Sequence, residues 1–437
     1  MKRAVLMLSF ALGLLLCPNR SLSAAELKAG TARIDLTPPM SMKAPLGGYG
    51  ERMNKPAEGV HDRIFAKALV LSDGPRKFAL VTCDMLGLAP AFKPEVVKRL
   101  ASDGWSAEQI MLLPAHSHTS IEMNAINPAN TFNIPQIGIH NPVLYEFTVK
   151  NFVKVIRAAE QHLTPIRLGT TSRKIEGWNR NRRRDSKVVD DELTITRIDT
   201  DAGKPLAVLV NFTAHPTFMG ADAMLFSGDW PGHLQRTLEA VIGNGVTAMY
   251  FNGAEGDQAP VARPDSGPSP WERAERYGRE LALVVAKDWA HIATQPDVAF
   301  KYHLQTIKLP ERRWHPDFMA TGGKEYGLSE ELLRKMLPQM SPPKTTSGAL
   351  RLGDLLIIGI PGELASGLGL EVKAQAKELT GAPHPVIGGL ANEWISYVLS
   401  PTAYRAGGYE ASVSFYGETL GKTICDGALA GVKDLKQ

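Results

Sequence analysis

Residues able to bind a metal and move protons are spread widely along this chain. His116 and His118 form a His-x-His pair, and in an extended segment side chains two apart face the same side. Two imidazoles aimed at one centre begin a zinc site, which takes about three protein ligands and keeps one position open. His215 lies far away in sequence, and Pro216 keeps it out of the α region. Glu363 follows Pro361-Gly362 and opens a helical pattern, where the helix dipole favours a carboxylate. Tyr397, in Asn392-Glu393-Trp394-Ile395-Ser396-Tyr397, offers a phenol to a metal or a hydrogen bond. Asp84, Asp229, Glu255 and Asp257 are carboxylates of the kind that orient metal-bound histidines. In Arg180-Asn181-Arg182-Arg183-Arg184, one arginine can reach in and hold a substrate oxygen.

Each of these residues also has a plainer reading. The histidine pair can be satisfied within a loop, Glu363 can stabilise a helix start without metal, and Tyr397 can be a buried structural tyrosine. Asp229 can cap the helix that begins near Trp230.

What unites the clusters is where they fall. Five short, β-branched apolar runs, at 78–82, 110–113, 206–212, 246–251 and 355–360, end abruptly in them. Buried strands cannot hold such side chains, but strand ends can. In sheets with alternating helices, ligands bind at the carboxyl ends of strands. The expectation is an α/β fold with one site assembled at strand ends. A helix is predicted after Asn141-Pro142, with Tyr145, Val149, Phe152, Ile156, Ala159 and Leu163 on one stripe. Further helices are predicted at 271–293 and 363–379. Residues 308–351, rich in Pro, Gly and charge, read as a surface insertion with one short helix at 329–337.

Composition narrows the function. Residues 1–25 read as an export signal: Lys2 and Arg3, an apolar stretch at 4–16, then small residues before Glu26. That stretch is shorter than the ~20 residues a membrane span takes, so the chain is expected to be exported, periplasmic or extracellular. A net charge of +4 gives no electrostatic case for nucleic acid. Cys83, inside a strand pattern, is expected to be an inert buried thiol. The chain shows no Gly-x-Ser-x-Gly elbow, no phosphate-binding Gly-x-x-x-x-Gly-Lys-Ser/Thr loop and no His-Glu-x-x-His helix. These absences argue against serine esterases, nucleotide enzymes and the common metalloproteases.

Taken in order, the motifs resemble the neutral, non-lysosomal ceramidase family. They are Gly30-Thr31-Ala32-Arg33-Ile34-Asp35-Leu36-Thr37-Pro38, Gly47-Gly48-Tyr49-Gly50, Gly59-Val60-His61-Asp62-Arg63, Val81-Thr82-Cys83-Asp84, the His-x-His segment and Asn179-Arg180-Asn181-Arg182. They continue with Ala214-His215-Pro216-Thr217, Glu255-Gly256-Asp257, Pro361-Gly362-Glu363, Gly389-Leu390-Ala391-Asn392 and Gly408-Tyr409-Glu410-Ala411-Ser412. The resemblance implies a catalytic domain over 26–437 of layered mixed β-sheets with flanking helices, without the family's C-terminal immunoglobulin-like domain. It implies one Zn2+ held by His116, His215, Glu363 and Tyr397. It further implies that His118 assists proton transfer and that Arg182 contacts the substrate region; Tyr397 and the carboxylate Asp257 are counted with them as candidate catalytic residues. The implied reaction is hydrolysis of an N-acyl amide, ceramide to sphingosine and fatty acid, with peripheral membrane contact open and no transmembrane segment. Two departures stand out. The family's Gly-Asp-x-Ser-Pro reads Gly256-Asp257-Gln258-Ala259-Pro260, and its glycine-rich stretch after the histidine pair reads Ser120-Ile121-Glu122-Met123-Asn124. They keep open a zinc hydrolase of another N-acyl or ester substrate, such as an acylated amino sugar or amino acid. They also keep open a non-catalytic zinc-containing homologue.

Overall fold

The structure is a computed structural model that describes residues 26–184 and 186–436. The export signal read at 1–25 lies outside them. The larger of two main sheets has eight strands: β1 (Lys28–Asp35), β2 (Phe65–Ser72), β3 (Lys77–Cys83), β4 (Ile110–Pro114), β5 (Thr164–Lys174), β6 (Glu192–Thr200), β7 (Pro205–Phe212) and β8 (Thr247–Asn252). Their order across the sheet is β8-β7-β6-β5-β1-β2-β3-β4. The smaller has four, β9 (Phe300–Lys308), β10 (Lys344–Leu352), β11 (Leu355–Gly359) and β12 (His384–Gly388), in that order.

Strands covered on both faces explain the unbroken apolar runs. Leu69, Leu71, Leu80 and Phe251 of the larger sheet pack against Leu350, Leu355 and Ile357 of the smaller. On the larger sheet's outer face, Ala68, Val70 and Val81 meet helix α2 (Pro142–Glu160), beside α1 (Phe92–Leu100). Val208, Val210 and Tyr250 meet α3 (Asp229–Ile242) and α4 (Pro270–Trp289). Beyond the smaller sheet, helix α5 (Glu330–Met340) belongs to a separate cluster near the site, while α6 (Ser366–Thr380) and α7 (Leu420–Val432) cover Leu356, Ile358 and Ile387. The layers run helix, sheet, sheet, helix.

Most strand neighbours in these sheets are antiparallel, but β3/β4, β7/β8 and β11/β12 are parallel. A parallel pair exits on one side, so each delivers two polar loops together. Buried asparagines tie the pairs to one another. Asn252 Nδ2, at the last residue of β8, donates to Ala214 O at 2.9 Å and Ala115 O at 3.3 Å. Asn211 of β7 donates to Ile387 O of β12 at 3.0 Å, and Leu112 N of β4 donates to Asn392 Oδ1 at 3.0 Å.

The helix starts follow local rules. Asn141 accepts from the N–H groups of Val143 and Leu144, and Ser269 with Glu272 forms a reciprocal cap on α4. Two expectations need correction. The helix predicted from 363 starts at Ser366, because Glu363 N donates sideways to Ser396 O at 3.1 Å and joins a short parallel bridge, Glu363–Leu364 beside Tyr397–Val398. The insertion predicted at 308–351 is shorter: Lys344–Leu352 is β10, a central strand paired on both sides. Its Thr345-Thr346-Ser347-Gly348 stretch reads as loop in sequence, yet Ser347 is buried and its hydroxyl donates to Gly359 O at 2.8 Å. Cys83 and Cys425 are both buried and unpaired with each other, and burial pushes the Cys83 thiol up.

Candidate active site

The side chains singled out from sequence meet where the parallel pairs exit. His116 follows β4 with φ +73°, a left-handed conformation unusual for a non-glycine residue. The extended geometry expected for His116–His118 is therefore not what brings the rings together. The backbone turn does so, leaving the rings edge to face with centroids 4.8 Å apart. His215 follows β7, and Glu363 follows β11. Tyr397 is the register partner of Glu363 across the short parallel bridge, so the two side chains start from the same side.

His215 Nε2 lies 3.1 Å from Glu363 Oε2, His116 Nε2 lies 3.5 Å from the same oxygen, and His118 Nε2 lies 3.3 Å from His116 Nε2. Ligands around a tetrahedral zinc at its usual bond lengths sit about 3.3 Å apart. The other ring nitrogens are spoken for: His116 Nδ1 meets Leu86 O at 2.5 Å and His215 Nδ1 meets Gln258 O at 3.1 Å. A carbonyl only accepts, so both Nδ1 atoms carry the proton and both Nε2 lone pairs face the Glu363 carboxylate. Burial holds His215 down at about 4, leaving it neutral at ordinary pH. Converging lone pairs with no donor among them call for a cation. His116, His118 and His215 also place their ligand atoms within 4.8 Å of one another. His116, His215 and Glu363 are at most 3% exposed.

Arg182 leaves the ribbon formed by Asn179–Asn181 and Gln258–Pro260 and spans the rim of the site. Its Nη2 donates to Tyr397 Oη and to Gly256 O, each at 2.9 Å, while Nε pairs with Glu410 at 2.9 Å. Burial opposes its charge, but Tyr397 and Glu410 more than offset this and raise its pKa. Trp394 Nε1 donates to Glu363 Oε1 at 2.8 Å. Burial, with the neighbouring His116, holds His118 well below its ordinary pKa, so its ring is neutral at ordinary pH.

None of the four candidate orienting carboxylates holds a histidine. Asp257 accepts from Ser366 N at 2.9 Å and Asn181 Nδ2 at 2.9 Å, bracing α6 against the Arg182 ribbon. Asp84 takes Phe65 N and Gln235 Nε2, and Asp229 takes Trp230 N at the start of α3. Glu255 is fully buried, and no described group donates to it. Backbone carbonyls orient the histidines instead, which no sequence pattern reveals. Trp394 and Glu410 were also missed as site residues, although both lie inside the quoted motifs. A second group, His61, Asp62 and His233, is close enough to hold an ion. There, however, Asp62 already takes Arg236 at 2.8 Å and the Ser227 hydroxyl at 2.5 Å, and Ser227 O in turn anchors Ser117 and Thr119 of the histidine loop.

Beside the three-acceptor cluster opens a mostly apolar cavity. Leu86, Met123, Phe318, Leu333, Met336 and Phe415 line it, with Tyr49, Glu122, Gln136, Tyr326 and Tyr409 as its polar members. Its roof comes from α5 and the turns before it, so the shortened insertion is part of the site.

A family model described as "Neutral/alkaline non-lysosomal ceramidase, N-terminal" matches residues 27–262. The chain belongs to this family. Membership in the ceramidase family implies a hydrolase that acts on amide bonds. The neutral ceramidase of Mycobacterium tuberculosis is 22% identical, over 85% of this chain and 71% of that protein. A solved ceramidase complexed with C2 superposes with a TM-score of 0.79 at 21% identity, covering 94% of this chain and 75% of the other. The neutral ceramidase from Pseudomonas aeruginosa gives 0.77 at 20% identity, with 94% and 75% covered. The layered mixed α/β fold is thus the ceramidase fold, and it extends past residue 262 to include Glu363 and Tyr397. Among the described residues, no helix is long and apolar enough to cross a membrane.

Proposed function

We propose that this ceramidase-family chain is an exported, zinc-dependent amidohydrolase that cleaves an N-acyl amide of the ceramide class. The observation that carries the reading is the convergence of His116, His215 and Glu363 at 3.1–3.5 Å with every available proton turned away. These three residues would hold the zinc, with Tyr397 as fourth ligand. Zinc in that position supplies Lewis-acid chemistry: activation of water and polarisation of the amide carbonyl. His118 takes the proton from the attacking water and delivers it to the leaving nitrogen. Arg182 and Tyr397, hydrogen-bonded to each other, would stabilise the oxygen that becomes negative, a role worth about 3–4 kcal/mol per donor elsewhere. Asp257 serves this group indirectly by fixing the Arg182 ribbon. Trp394 and the Leu86 carbonyl keep Glu363 and His116 in place. The apolar cavity suits an acyl chain.

Ala259 stands where the family carries a serine, in the ribbon beside Arg180. Water activation does not need that hydroxyl, so its loss need not abolish hydrolysis; a shifted substrate preference or a lower rate is the expected consequence. The test compares an N-acyl sphingosine with water-soluble N-acyl amines and N-acyl amino acids, with and without added zinc. Zinc-stimulated release of free amine from the sphingosine amide is expected. Release only from the soluble amides would move the reading to a different N-acyl substrate. Zinc bound at one per chain with no release from any amide would make this a non-catalytic homologue. His116→Ala should lose zinc and turnover together.

A further inference from the structure

Glu122 stands where the family's glycine-rich stretch would be, and it turns a carboxylate towards the cavity. Its known partners are backbone amides: Asn124 N donates to Oε1 at 2.9 Å, and Gly48 N lies on its other side. A carboxylate has about four acceptor positions, so capacity remains on the cavity side. The nearest cation, Arg52, does not neutralise it directly. The Arg52 guanidinium is spent on carbonyls, including those of Gly47 and His118 and, at 3.0 and 2.9 Å, Gly220 and Ala223. A buried acceptor with unfilled capacity in a mostly apolar cavity is costly unless a ligand donor meets it.

Its position says which part of a ligand that would be. Gly47 and Gly48 form a saddle with Glu122 on one side and His118 on the other. A Cβ on Gly47 would fall 3.1 Å from Glu122 Oε2, and one on Gly48, where φ is +93°, would collide with the His118 ring. Glu122 therefore lies beside the histidine assigned to protonate the leaving nitrogen, and Leu333, Met336 and Phe415 line the same cavity. We propose that Glu122 is a specificity-determining residue that accepts a hydrogen bond from a hydroxyl or ammonium group on the amine arm of the substrate amide. The inference rests on the amide-hydrolase reading and assigns one residue of this chain, in a loop that departs from the family's, to the amine arm of that substrate.

The test uses the full-length zinc-loaded protein and three octanoyl-scale amides. One has a hydroxyl beside the nitrogen-bearing carbon, one lacks it, and one carries the hydroxyl on the acyl arm instead. At about pH 8.5, above the value of about 7 to which burial raises Glu122, wild-type kcat/KM should favour the amine-arm hydroxyl by about ten- to a hundredfold, as expected for a hydrogen bond to a charged group. Glu122→Ala and Glu122→Gln should bring that ratio towards one. Because the ratio is taken within each variant, a smaller folded fraction cancels. A ratio unchanged by both substitutions, or a preference that follows the acyl-arm hydroxyl, overturns the proposal. Should the wild type hydrolyse no amide, the amide-hydrolase reading fails by itself. The same ratio is then read as calorimetric affinity for a free long-chain amino alcohol against its deoxy amine. Preference abolished by Glu122→Ala supports the assignment of Glu122, and equal affinities in the wild type overturn it.

Discussion

Glu363 divides its carboxylate between two tasks. Oε2 faces His116 and His215, while Oε1 accepts the Trp394 indole at 2.8 Å. Partners of this outer kind fix the direction of a metal ligand, and losing one elsewhere weakens metal binding about 10–100-fold. Trp394→Phe keeps the bulk and removes the donor. It should weaken zinc binding within that range in a chelator competition while leaving the far-ultraviolet circular dichroism unchanged. Wild-type affinity in that variant would mean that Glu363 is oriented by the backbone alone. His116, His118, His215 and Glu363 were legible as candidates because they stand at the ends of apolar runs, while the resemblance of short motifs is what singled out Tyr397 and Arg182. Trp394 and Glu410 were not, because an indole or a carboxylate inside a motif does not announce its partner. The Leu86 and Gln258 carbonyls that set the histidine tautomers were out of reach altogether, since any residue carries a carbonyl.

Helix α6 starts three residues later than its sequence pattern indicates, and that difference places Glu363 in a strand bridge beside Tyr397. The run from 363 to 379 looks continuous because Glu and Leu fit a helix and a strand end equally well. What decides is the hydrogen bond from Glu363 N to Ser396 O, a contact from a distant segment. The same helix is tied to the larger sheet through Lys373, which pairs with Asp190 at 2.7 Å and Glu192 at 2.9 Å. Burial opposes the Lys373 charge, but Asp190 and Glu192 more than offset it and raise its pKa. Lys373→Met leaves a buried Asp190 unpaired and should lower unfolding stability by about 3–5 kcal/mol at pH 8 in urea. Because the folded pKa lies above the unfolded one, this stabilisation is complete below about pH 10 and fades as pH climbs through the raised value. The gap between wild type and Lys373→Met should therefore narrow above about pH 11. A gap that widened there would reverse the sign of the argument.

Across the whole molecule, three parallel strand pairs from two sheets point their exits at one place. The apolar runs and their polar ends made the α/β class and the strand-end site readable. Strand direction and the pairing of β10 were not readable, because they depend on contacts between segments far apart in sequence. Asn252 is the clearest of those contacts. Its amide serves Ala115 O and Ala214 O, and its carbonyl takes Ala214 N and Gly253 N. Asn252→Ala strands these four buried backbone groups and should cost about 4 kcal/mol or more, at roughly 1–3 kcal/mol for each unsatisfied group. It should also loosen zinc, although Asn252 touches no proposed ligand; normal zinc affinity at reduced stability would show that the exits hold their arrangement without it. The central claim, that distant strand ends converge on one divalent ion, is tested most directly by the zinc content of the purified, folded protein. Mass spectrometry of metals should find one zinc per chain in the wild type and less than about a tenth in His116→Ala, His215→Ala and Glu363→Ala, each still folded by circular dichroism. A wild type that takes up no zinc, or a folded His215→Ala that keeps a full equivalent, would contradict the account.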